Sequence, residues 1–72
     1  MIYLHGTQAK PGDLLVWSAF GHETSGKRAG AYAGVAVRMK IPPGGNRPAL
    51  MFLNEKGGYQ HLNPVYVEVV RP

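Results

Sequence analysis

The chain contains no cysteine. Its fold therefore has no disulfide framework, and no thiolate metal site is open to it. No apolar run approaches the ~20 residues that a membrane-spanning helix needs. The opening "MIYLHGTQ" lacks a positive region followed by an apolar stretch, so no secretory signal is expected. The expectation is a soluble, cytoplasmic protein without membrane contact. Acidic residues are scarce, 4 against 8 Lys and Arg, which excludes a protein that mimics DNA through negative charge. Helical periodicity is missing too, since no ten-residue stretch repeats apolar residues at i, i+3 and i+4.

What is present is punctuation. Most of the ten glycines and six prolines cluster at "KPGD", "FGHETSGKRAG", "PPGGNRP" and "EKGG". Between these marks lie short runs rich in β-branched and aromatic residues, the pattern of a small all-β fold. In "AYAGVAVRMKI", Ala31, Ala33, Val35, Val37, Met39 and Ile41 fall on one face by period two. Tyr32, Gly34, Ala36, Arg38 and Lys40 fall on the other. Leu14–Trp17 and Ala49–Leu53 are apolar on both faces and read as central or covered strands, while Met1–Leu4 reads as an edge strand. At 72 residues the chain is one domain, near the lower size limit for a self-sufficient core. A homo-oligomer or a partner-bound form is compatible with so small a core.

Five short strands with a long loop after the first main one resemble the layout of an SH3-like barrel. In such barrels a 3₁₀ turn precedes the closing strand. The stretch "GGYQHLNPVYVEVV" (57–70) fits that ending, because Pro64 fixes φ and cannot continue a ladder. The fold expected is thus an all-β, five-stranded SH3-like barrel over residues 1–72, with a long first loop and a 3₁₀ turn before the last strand.

Two local resemblances suggest activities. "KPGDLLVWSAFGHETSGKR" resembles the opening of the MazF/PemK toxin ribonucleases, in which a Gly-Asp leads a strand and a G-[SH]-E-x-x-G-x-R loop follows. Gly12-Asp13 and Gly21, His22, Glu23, Gly26 and Arg28 match. The resemblance implies that Arg28 stabilises charge on a scissile phosphate. Ala29 stands where that family has proline, and "ALMFLN" has no hydroxyl residue where the family has one. The tail "GGYQHLNPVYVEVV" is similar to the closing segment of the plasmid-borne, trimethoprim-insensitive dihydrofolate reductases. There Gln60 and Pro64-Val65 correspond, with "HLN" between them. Other chemistry has less support: nothing in the sequence orients Ser18 or Ser25 with His22 as a nucleophile–base pair, and His5, His22 and His61 lack metal-ligand spacing. "SGK" at 25–27 lacks the spacing of a phosphate loop.

The net charge of +4 and a pI of about 9.8 favour anionic partners. Lys27-Arg28 on the long loop, with Phe20 and His22 nearby, supplies one basic, aromatic group. Tyr32 with Arg38 and Lys40 interleaves aromatic and basic side chains on one strand face, which suits stacking on bases beside phosphate contacts. The further aromatic candidates for a binding surface are Trp17, Tyr59 and Tyr66, and Trp17 anchors the core if it points inward and a ligand if it points outward. The expected function is a non-catalytic binding module of phage or mobile-element type, without cofactor or metal. Its partner would be nucleic acid, a nucleoprotein or a host protein, met through Phe20, His22, Lys27, Arg28, Tyr32, Arg38 and Lys40. The alternatives are a MazF-like endoribonuclease, a phage-particle assembly protein pairing through the Met1–Leu4 or Ala49–Leu53 edges, and an oligomeric dihydrofolate reductase.

Overall fold

Six runs of the chain become strands in the computed structural model, which describes all 72 residues, Met1–Pro72. They are β1 (Ile2–His5), β2 (Leu14–Trp17), β3 (Tyr32–Lys40), β4 (Ala49–Asn54), β5 (Tyr59–Leu62) and β6 (Val67–Arg71). All pair antiparallel in one sheet of order β1-β6-β2-β3-β4-β5. The all-β class follows the sequence pattern. The Met1–Leu4 run does form an edge strand, and it brings the count to six in place of five. β1 and β5 end the sheet and do not pair with each other, so the sheet is open and is not closed into a barrel by hydrogen bonds. No helix is long and apolar enough to cross a membrane.

The long first loop contains a helix, α1 (Ala19–Ser25). At seven residues it is too short to show apolar periodicity, and local caps define it. Ser18 Oγ accepts from the Gly21 N–H at 3.1 Å, and Gly26 takes the left-handed conformation that ends the helix. The 3₁₀ turn expected before the last strand spans Pro64–Tyr66, with the Val65 N–H donating to Asn63 Oδ1 at 3.1 Å. A second 3₁₀ turn covers Gly6–Gln8.

Strand β3 departs from simple alternation. Its pairing with β2 skips Ala33, and its pairing with β4 skips Val37. Each extra residue reverses the facing of the positions beyond it. Consequently Ala33 and Ala36 are both buried in the core, whereas Val35, expected inside, is only half-buried opposite the exposed Leu14. Beyond the second irregularity Met39 packs on the core and Arg38 is exposed, but Ile41, also expected inside, is 58% exposed. The core proper is Leu15, Leu50, Phe52, Val67 and Val69 with the two alanines. Burying each larger side chain contributes roughly 1.5–3 kcal/mol.

With only 13 of 72 residues buried, two further devices hold the ends. The turn Pro64–Tyr66 is clasped between two glycines. A Cβ at Gly6 would collide with the Pro64 carbonyl, and one at Gly21 with the Tyr66 carbonyl. Between them Ser18 donates from its backbone N–H to Tyr66 O (3.0 Å) and from Oγ to Val65 O (2.8 Å). On the other side, Arg71 grips Asp13 with two bonds, Nη2 to Oδ2 at 2.9 Å and Nε to Oδ1 at 3.3 Å. The same Nη2 also donates to Gln8 O at 2.7 Å. This bidentate geometry lowers the Asp13 pKa below its ordinary value, mainly through the bond from Arg71 and further through the Lys10 backbone N–H.

Candidate nucleic-acid interface

The β2–α1 junction, the start of β3 and the β4–β5 turn converge at one end of the sheet. Between them runs a groove of about 330 Å³, lined by Trp17, Tyr32, Lys27, Asn54, Lys56 and Gln60 among others. A neighbouring hollow of about 220 Å³ shares Trp17, Ser25 and Gln60 and adds Tyr66. Trp17 is half-buried, partly inward and partly toward the groove. Its ring meets Phe52 edge-on, centroids 6.3 Å apart at 89°, and it also lines the groove. Tyr32 is 43% exposed and lies opposite Val16 on the face away from Leu15.

Two cations and one carboxylate line the groove, Lys27, Lys56 and Glu55. Lys27 follows α1 and Lys56 sits in the β4–β5 turn; Lys27 Nζ reaches Glu55 Oε1 at 3.6 Å, with both side chains about half exposed. Such an exposed pair contributes little to stability.

The polar floor comes from the β4–β5 turn. Asn54 Oδ1 accepts from the backbone N–H groups of Lys56 (2.9 Å) and Gly58 (3.0 Å). Its Nδ2 donates to Gln60 Oε1 at 2.9 Å.

The residues singled out from the sequence are distributed unevenly. Lys27 and Tyr32 line the groove. Arg28 is exposed in the segment between α1 and β3, its carbonyl accepting from the Ala31 N–H. Phe20 is 63% exposed on α1. His22, also on α1, donates from Nδ1 to the Lys27 carbonyl and so fastens the end of the helix to the residue that carries the groove cation. Arg38 and Lys40 lie opposite Met51 and Ala49, six and eight residues along β3 from Tyr32. At the strand rise of about 3.3 Å per residue this is roughly 20 Å or more, so the structure does not bring the three together. Of the two runs considered as assembly edges, only the first is one: β4 is paired on both sides.

Sequence reasoning left Asn54 and Lys56 out of the site. The signal for both was the turn "NEKGG", where an asparagine precedes a Gly-Gly and a short side chain can hold its own backbone. Of the aromatic candidates, Tyr66 lines the second hollow, whereas Tyr59 is 65% exposed and lines neither. A third hollow, about 590 Å³, lies between Met39, Arg47 and Pro64 at the opposite side. It has one charged side chain and no aromatic ring, so it lacks the convergent groups that mark a ligand site. Compared with protein families, characterised proteins and solved structures, the chain matches none of them.

Proposed function

We propose that this chain is a small non-catalytic binding module that holds a single strand of nucleic acid in the groove beside Trp17. One observation carries the reading: three aromatic side chains, Trp17, Tyr32 and Tyr66, line adjoining hollows that Lys27 and Lys56 flank. Rings provide faces for bases, each stacked base being worth about 1–3 kcal/mol, and ammonium groups meet the phosphates. The net charge of +4 adds a general attraction. In this reading Arg28 and the exposed Phe20 extend the groove's margin, His22 positions Lys27, and Arg38 and Lys40 meet a longer strand at the far end of β3. The architecture is read as SH3-like in plan, with strands curling round one core and a 3₁₀ turn leading into the last.

The test is binding and cleavage of single-stranded RNA and DNA at low and high salt, with wild type, Tyr32→Ala and Arg28→Ala. Binding that weakens with salt, with affinity lower by about tenfold or more in Tyr32→Ala, is expected. Cleavage that disappears in Arg28→Ala would instead make the protein a ribonuclease of the MazF type. Binding to neither nucleic acid at low salt would move the search to protein partners.

A further inference from the structure

The Asn54–Gln60 contact gives the groove a defined polarity. An amide side chain can usually turn over, exchanging its oxygen and nitrogen. Here it cannot do so without loss. Asn54 Oδ1 accepts two backbone N–H groups, from Lys56 and Gly58, and only an oxygen accepts from them. Asn54 Nδ2 is thereby aimed at Gln60, and because Nδ2 only donates, it must meet the Gln60 oxygen, as it does at 2.9 Å. Gln60 Nε2, the remaining end of that amide, has no bond within the protein and belongs to a side chain that lines both hollows. The backbone of the β4–β5 turn thus dictates, through two side chains, that the groove meets a donor.

Resting on the nucleic-acid reading above, we infer that Gln60 reads the exocyclic group of a base lodged against Trp17 and Tyr32, selecting a carbonyl over an amino group. Uracil and thymine present an acceptor oxygen at C4, where cytosine presents an amino donor. Nε2 makes a hydrogen bond with the first and meets the second donor against donor. The aromatic residues supply affinity without regard to base, and Gln60 supplies the choice.

The deciding experiment measures Kd for hexauridylate and hexacytidylate with wild type, Asn54→Asp and Gln60→Glu. Wild type should favour uridylate by roughly tenfold, the scale of one good base-edge contact. Asn54→Asp keeps an oxygen for the two backbone N–H groups but offers a second oxygen to Gln60. Gln60 then turns over, its oxygen faces the groove, and the preference should reverse toward cytidylate. Gln60→Glu, on the exposed edge strand, should reverse it by presenting an acceptor directly, with both affinities lowered by the added negative charge. Equal wild-type affinities that both fall in Tyr32→Ala would overturn the Gln60 inference while leaving the nucleic-acid groove standing. A uridylate preference unchanged in both variants would overturn it equally. Failure of wild type to bind either oligomer would overturn the groove reading and the inference with it.

Discussion

Two asparagines begin turns in this chain by the same means, yet the turns have opposite fates. Asn63 Oδ1 accepts from the Val65 N–H, and the 3₁₀ turn that it opens is pressed between Gly6 and Gly21 with Pro64 buried. Asn54 Oδ1 accepts from Lys56 and Gly58, and its turn stands exposed at the rim of the groove. In the turn after Asn63, Gly6 and Gly21 lie against the backbone, and Ser18 takes the carbonyls of Val65 and Tyr66. Around Asn54 the same capping bond leaves side-chain amides and ammonium groups with unused capacity. One local device therefore serves stability where its turn is covered and leaves polar groups available where its turn is not.

The contrast is broken most severely by Gly21→Ala. Its methyl group would enter the Tyr66 carbonyl and crowd the Trp17 ring, and backbone cannot yield as a flexible side chain does. A loss of about 3 kcal/mol or more is expected, a large share of the 5–15 kcal/mol typical of a domain. Urea melts would show it as a lowered midpoint. Ser18→Ala comes next. It removes the helix cap and the bond to Val65 O together, with an expected loss of about 1–3 kcal/mol in the same melts. The smallest effect concerns the partly buried Asp13–Arg71 pair. Asp13 has a lowered pKa in the folded state, so its contribution is present above the unfolded carboxylate's pKa and is lost as pH falls through the folded value. Thermal melts of wild type should therefore fall in Tm as the pH drops below about 4. Asp13→Asn should flatten that decline, and parallel profiles would show that the pair is not responsible.

Much of the sheet was legible because β-branched runs end at Gly and Pro. Val67 and Val69 alternate with Glu68 and are both buried, and Pro64 announced the turn before them. β3 was misread in its middle because period two presumes an uninterrupted ladder. Nothing in "AYAGVAVRMK" marks Ala33 and Val37 as the residues its partners skip; those interruptions arise from pairing with two different strands. Helix α1 left its trace in Ser18 and Gly26, a cap and a stop on either side of its seven residues, rather than in hydrophobic pattern. The groove was legible in part. Lys27 and Tyr32 came from the search for aromatic and basic neighbours, but Gln60 acquires meaning only once Asn54 faces it across the turn. Such a relation is one of hydrogen-bond direction, which composition does not encode.

The place of β6 in the sheet has a consequence for how the molecule is made. Residues 67–71 insert between β1 and β2, and β1 has no other partner. During synthesis, Ile2–His5 must wait until those residues have been added before finding its ladder, at ~5–20 residues per second. Until then the nascent chain carries an unpaired strand and one open side of β2, with the clasp around Pro64–Tyr66 still unmade. Completion of this sheet therefore waits on the long loop closure that joins β1 to β6, the kind of non-local contact that slows folding.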